Sequence, residues 1–340
     1  MKSKETPPDH STPTPMEASR VQFLEKSFPE WLGLAGRGSR EASLEEDGVA
    51  MLHWLHDRIF LHGNTIEMVR NELLEANGGL KFIAVSSGKG GVGKTTCSVN
   101  LAHAMAKLGH RVLLVDADLG LGNVHVFAGV NPTVTLQDFL DHTVPIQNAL
   151  TAVNERLWLL CGGSGVAGLA SLDMRRMNRL LRHLRGLKRS IDYVIIDTGA
   201  GLSPQVLSFL LQAQEIVIVT TPNIAATLDA YGMIKTIHEQ EMNGKVRLLV
   251  NQCKNAEEAE SVSEKLLGCA RQFLGSAPEV LGFITRDEAI EESNQSRTPF
   301  VNSGRDDDNS ARMKAMAELL TGADFTLTPM EKNAAELQPA

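Results

Sequence analysis

The chain has 340 residues, 43% of them hydrophobic, enough to bury one large core or two small ones. Its formal net charge of -8 excludes wholesale coating of nucleic acid and leaves such a role only to a local basic patch. Apolar runs fall short of the ~18 residues that a membrane span needs, and the N-terminal MKSKETPPDHSTPTP has no apolar signal core, so a cytoplasmic protein is expected.

In chain order, residues 1–20 are rich in Pro, Ser, Thr and charge, which predicts a disordered tail. Residues 21–79 carry apolar side chains at helical spacing, among them Phe23, Trp31, Trp54 and Phe60, with Gly33, Gly36, Gly38 and Gly63 between them. They predict a helical N-terminal extension. Residues 80–321 alternate short β-branched runs with longer helical stretches. The strands are predicted at Phe82–Ser86, Val112–Val115, Leu157–Leu160, Tyr193–Ile196, Ile216–Thr220, Arg247–Asn251 and Val280–Ile284. Continuous apolar strands of this kind suit a mostly parallel sheet with helices on both faces, a three-layer α/β domain with its ligand at the carboxyl ends of the strands. Residues 311–320 read as the closing helix of that domain, and 322–340 as a flexible tail.

The first strand runs into Gly88-x-x-x-x-Gly93-Lys94-Thr95, followed directly by an amphipathic helix. That order is the setting of a phosphate loop: glycines let backbone N–H groups wrap an anion, and the helix start adds unpaired N–H groups and its positive dipole end. Lys94 is placed to reach the β- and γ-phosphates of ATP, and the Thr95 hydroxyl to hold Mg²⁺. Gly88, Lys89, Gly90, Gly91, Val92, Gly93 and Thr96 complete the expected ATP-binding loop. Two further strands deliver Asp116-Ala-Asp118 and Asp197-Thr-Gly-Ala-Gly201 at their ends. Asp197 is expected to hold Mg²⁺ through water, and Asp118 to orient the attacking water or the metal's surroundings.

Four cysteines, Cys97, Cys161, Cys253 and Cys269, lie far apart without a Cys-x-x-Cys or a His pair at metal spacing. They read as buried thiols in a reducing compartment rather than as zinc or iron–sulfur ligands.

The motifs Lys89-Gly-Gly-Val-Gly-Lys-Thr-Thr96, Val115-Asp-Ala-Asp118 and Ile195-Ile-Asp197 resemble those of the MinD/ParA family, deviant phosphate-loop ATPases of the SIMIBI type. Further segments are similar to the FlhG/FleN branch, which regulates flagellar number and placement: Asp116-Ala-Asp-Leu-Gly-Leu-Gly-Asn123, Gly162-Gly-Ser-Gly165, Leu228-Asp-Ala-Tyr231, Val250-Asn-Gln252 and Leu281-Gly-Phe-Ile284. The resemblance implies a homodimer assembled with ATP, slow MgATP hydrolysis, and Lys89 as the signature lysine that reaches the phosphates of the partner subunit. It also implies a protein partner, such as a flagellar GTPase, a C-ring component or a transcription regulator, and a polar or peripheral membrane location. Asn251 matches the position that reads the adenine edge, and Thr285 stands in a purine-side loop that often carries Pro. Where the family has an acid two residues after Asn123, this chain has His125.

The ends depart from the branch. No Asp-Gln-Ala motif for a partner GTPase occurs in the leader, and the segment 324–340 has two prolines and no cationic apolar face, which gives membrane attachment little support. The arginine-rich stretch 171–190 could serve non-specific DNA binding, as in ParA-like relatives, or be a solvated helix face. The reading that follows is an ATP-dependent dimeric switch for a polar assembly such as flagella. The alternatives are a DNA-associated positioning ATPase for another cargo, and a nucleotide-sensing regulator of a transcription factor.

Overall fold

Strands form where the sequence alternates apolar side chains toward two opposite layers. In this computed structural model, which describes residues 20–21, 23–24, 55–61, 80–118, 122–141, 143–162, 174–304 and 307–321, eight strands make one sheet in the order β3-β4-β2-β5-β1-β6-β7-β8. They are β1 Lys81–Ser87, β2 Val112–Ala117, β3 Leu150–Asn154, β4 Leu157–Leu160, β5 Tyr193–Ala200, β6 Glu215–Thr220, β7 Lys245–Cys253 and β8 Glu279–Thr285. All neighbouring pairs are parallel except β3 with β4.

Successive residues of one strand serve opposite cores, as the two-residue repeat of a strand requires. Phe82 and Ala84 of β1 join Leu113, Val194, Ile216 and Leu248 on one face, while Ile83 and Val85 join Leu114, Ile195, Val217 and Leu249 on the other. The second face is covered by α1 (Lys94–Lys107) and the closing helix α9 (Asp308–Thr321), whose Met313, Met316, Ala317 and Leu320 are buried. Two short helices, α2 (Val124–Phe127) and α3 (Leu136–Leu140), follow β2. The first face is covered by α4 (Met174–Gly186), α5 (Pro204–Leu210), α6 (Ile224–Glu239) and α7 (Ala256–Leu274). Helix α8 (Glu288–Gln295) follows β8. The expected three-layer, mostly parallel α/β fold is thus the one observed.

All seven predicted strands are present, and all but the one at Leu157–Leu160 are longer. The strand predicted at Tyr193–Ile196 continues through Asp197 to Ala200, because Ser87 of β1 pairs with Ala200 after a local irregularity in register. Asp116 likewise lies within β2, in register with Asp197. Strand β3 is absent from the predicted set. It is a five-residue edge strand with only Leu150 buried, joined to β4 by a two-residue turn in which Asn154 Oδ1 accepts the Arg156 N–H at 2.9 Å.

Ion pairs gather at the amino ends of the strands. Arg247 Nε donates to Glu215 at 2.8 Å and its Nη1 to Glu279 at 2.5 Å; Arg111 meets Asp192 at 2.6 Å. The carboxyl ends are left for the site.

The chain divides into two compact units, 1–76 and 77–340. In the first, the described residues include a helical turn at Asp57–Leu61. Phe23 meets the Phe60 ring edge-on at 5.8 Å, and the Arg20 guanidinium lies 5.0 Å from the same ring. Trp31, Trp54 and the segments 1–19 and 322–340 lie outside the described residues.

Candidate functional site

Between β1 and α1 the backbone turns through Gly91 at φ +78° and Gly93 at φ +89°, a left-handed region that glycine enters without strain. Gly93 precedes α1 without a side-chain cap, and no acid occupies the first helical turn, so the N–H groups of that turn face no competing anion of their own helix. Close packing sets the rest of the loop. A Cβ on Gly93 would fall 2.2 Å from Asn251 Nδ2, and one on Gly88 would fall 2.4 Å from the Asp229 carbonyl oxygen of α6. Asn251 Nδ2 donates to the Val92 carbonyl at 2.8 Å, and Ser87 Oγ to the Lys89 carbonyl at 2.7 Å. These contacts hold the loop open from behind.

The two loop lysines differ in surroundings. Lys94 is 9% exposed; burial lowers its pKa, and the nearby Asp197 and Asp118 carboxylates oppose that shift. Lys89 is exposed at the rim. Beneath Lys94, Thr95 Oγ1 donates to Asp197 Oδ2 at 2.7 Å and Ser98 Oγ to Asp197 Oδ1 at 2.8 Å. Hydroxyl donors on a carboxylate contribute about 1.5–3 kcal/mol each. Ser98 is absent from the residues expected at the site, although its place one turn after Thr95 on the same helix face is a readable signal.

Asp116 is fully buried beside Asp197. Its Oδ1 accepts the Asp118 N–H at 3.3 Å and its Oδ2 the Val124 N–H at 3.2 Å, so it bonds both Asp118 and the start of α2. Burial, with Asp197 nearby, pushes its carboxyl up to about 8 against those two backbone donors.

Burial also pushes Asp197 up to about 6, with the Thr95 and Ser98 hydroxyls and the Lys94 ammonium holding it lower than burial alone would. Below a pH of about 6, a divalent cation would compete with a proton on this carboxyl, and its contribution to nucleotide affinity is expected to fall up to about tenfold per pH unit. Calorimetry with MgADP across that pH, with Mg²⁺-free ADP measured in parallel to remove the nucleotide's own titration, should show the step in the parent and not in Asp197→Asn. A flat parent profile would place the cation elsewhere.

On the far side of the loop lies a cavity of ≈310 Å³ lined by Gly93, Thr96, Asn251, Thr285 and Phe300, among others. Its size is at the lower end of small-molecule pockets. Asn251 and Thr285, distant in sequence, meet there. Asn251 has one donor committed to the Val92 carbonyl, while Thr285 is pinned to Asn309, whose Oδ1 accepts from both its N–H and its hydroxyl at 3.0 Å. Cys97 is buried in the same wall and its thiol is pushed up to about 12. Cys161 and Cys253 are buried as expected, but Cys269 is exposed on α7.

The arginines of α4 mostly serve their own neighbourhood. Arg179 donates to the Phe139 carbonyl at 3.1 Å and lies 4.6 Å from the Phe139 ring, Arg176 pairs with Asp141 at 3.4 Å, and Arg185 bonds Gln212. Arg175 and Arg182 are exposed, whereas Met177, Leu180, Leu181 and Leu184 are buried at helical spacing. Among the described residues, no helix is long and apolar enough to cross a membrane.

A glycine loop between the central strand and α1, a buried lysine, and a threonine bonded to a carboxylate at the next strand's end define a phosphate-loop NTPase. The chain belongs to the ParA family, matched over residues 80–321 and described as NUBPL iron-transfer P-loop NTPase. It is 32% identical over 239 residues to the antiactivator FleN of Pseudomonas aeruginosa, covering 70% of this chain and 85% of that one. It is 34% identical over 205 residues to the flagellum site-determining protein YlxH of Helicobacter pylori, covering 58% and 67%. These two relatives bear out the likeness to the FlhG/FleN branch. The septum site-determining protein MinD of Pyrococcus horikoshii OT3, solved in complex with Mg-ADP, shares the fold with a TM-score of 0.62 at 24% identity, covering 73% of this chain and all of that one.

Proposed function

We propose that the protein is a slow MgATPase that works as an ATP-dependent dimeric switch and sets the number or position of a polar assembly, flagella in particular. The observation that supports this reading is the contrast between the two loop lysines, Lys94 buried near the Asp197 and Asp118 carboxylates and Lys89 exposed at the rim. The likeness to FleN and YlxH, whose names refer to antiactivation and flagellar site determination, supports flagella as the assembly.

The residues fit nucleotide and Mg²⁺: the uncapped helix start offers N–H groups to phosphate, and the Thr95–Asp197 pair offers hard oxygen donors to the metal. When bound, Mg²⁺ neutralises phosphate charge. Lys94 binds the phosphates of its own subunit, Thr95 and, through water, Asp197 hold the metal, and Asn251 and Thr285 border the base. Asp118 orients the attacking water and draws its proton. Lys89 reaches the phosphates of the partner subunit. Around this rim Leu202, Ile224 and Leu228 are exposed, at 41%, 78% and 65%, and Gly88 abuts α6 at Asp229, so an apolar border adjoins the exposed lysine. The γ-phosphate adds charge at the shared surface, so ATP favours the dimer over ADP.

Asp118→Ala is expected to keep parent MgATP affinity, to slow turnover by about 10²–10⁴-fold, and to accumulate the ATP dimer. Single-turnover hydrolysis beside equilibrium binding tests this, and turnover at the parent rate would make Asp118 structural. For the cargo, loss of the protein in its host should change the count or placement of flagella by electron microscopy. Unchanged flagella would refute that assignment and leave a positioning ATPase for other cargo.

A further inference from the structure

We propose that Asp116, His125 and Cys161 form a binding site for a thiophilic divalent cation such as Zn²⁺, distinct from the Mg²⁺ position at Thr95 and Asp197. Cys161 Sγ lies 3.7 Å from His125 Nδ1, and one ligand atom from each of the three residues falls within 4.8 Å of the others, the one such cluster among the described residues. In tetrahedral zinc, with Zn–N of ~2.0 Å and Zn–S of ~2.3 Å, nitrogen and sulfur stand about 3.5 Å apart. The Cys–His pair already has that separation. A carboxylate oxygen needs to close by at most about 1.5 Å to complete a three-ligand set.

The fold builds this meeting from three elements. Val115 of β2 pairs with Leu160 of β4, so the residues that follow them, Asp116 and Cys161, emerge side by side at the carboxyl ends of adjacent strands. His125 comes from the first turn of α2, whose Val124 N–H is bonded to Asp116. The Asp118 and Val124 N–H groups fix the carboxylate from outside, as the supporting bonds of metal-binding carboxylates do. Asp116 is 0% and Cys161 3% exposed, while His125 is half-buried and gives a cation a way in from solvent.

A thiolate, an imidazole and one carboxylate select zinc or cobalt and disfavour magnesium, which takes oxygen ligands. Three protein ligands leave a fourth position for water. The bound cation would tie the segment carrying Asp118 to β4, and so tune the position of Asp118 independently of nucleotide.

The test is a Co²⁺ titration of the untagged, nucleotide-free full chain. One Co²⁺ per chain is expected, with thiolate-to-cobalt charge transfer in the near ultraviolet and tetrahedral visible bands. Zn²⁺ displaces it and excess Mg²⁺ does not. Cys161→Ser should abolish the charge-transfer band and His125→Ala should weaken binding at least about tenfold. Cys269→Ser, which removes the exposed thiol, should change nothing. Parent-like melting and ADP binding establish that each variant is folded; if Cys161→Ser is not, His125→Ala on the half-buried residue carries the result. Absence of the band in the parent, its survival in folded Cys161→Ser, unchanged affinity in His125→Ala, or its loss in Cys269→Ser would each overturn the site.

Discussion

Lys94→Ala is expected to abolish nucleotide binding at micromolar concentrations while leaving the protein folded. Lys94 is the cation of the loop held inside its own subunit, and each charge-assisted bond to phosphate contributes about 1.5–3 kcal/mol. Losing two such bonds costs about 10²–10⁴-fold in affinity, at about 1.4 kcal/mol per factor of ten. Calorimetry with ADP and with ATP, beside a thermal melt, separates lost binding from lost folding. Parent affinity in the variant would remove the loop from nucleotide recognition altogether.

Lys89→Ala should divide the two nucleotides. ADP affinity is expected to stay near the parent value, since Lys94, Thr95 and the loop N–H groups remain in place and Lys89 is exposed. With the proposed contact of Lys89 to the partner's phosphates, the ATP dimer should be lost, because that contact would disappear at both symmetric sites, about 3–6 kcal/mol in all. Turnover should fall with it. Sedimentation with ATP and Mg²⁺ under conditions of slow hydrolysis reads the outcome. A variant that dimerises as readily as the parent would show that Lys89 acts within its own subunit or not at all. The pair is also diagnostic: failure of ADP binding in both variants would mean that the loop, and not the interface, was damaged.

Six of the seven predicted strands were legible because they face two cores, so nearly every position had to be hydrophobic; β8, at the other edge with only Leu281 and Ile284 buried, was legible from its apolar run Val280–Ile284. Strand β3 was not, because an edge strand with one buried residue, Leu150, has little hydrophobic pattern to read. The phosphate loop was legible from Gly88, Gly93, Lys94 and Thr95 between an apolar strand and an amphipathic helix, and the left-handed turns at Gly91 and Gly93 are conformations that exclude most other residues. Asp116 reads in the sequence only as an acid at a strand end. Its bonds to the Asp118 and Val124 N–H groups depend on how the chain returns to α2.

Local chemistry therefore accounts for the elements and the loop: periodicity, glycine conformations and the lysine–threonine pair at the start of α1 are all properties of neighbouring residues. Partnership across the chain is different, because strand order follows from the total burial available to the sheet and not from any one segment. Placing β5 between β1 and β2 is what puts Asp197 under Thr95 and Ser98 and beside Asp116. The same order brings Cys161 to within 3.7 Å of His125, 36 residues away, where no spacing rule would pair them. Asn251 and Thr285 meet Gly93 and Thr96 around one cavity for the same reason, through the neighbouring carboxyl ends of β7 and β8.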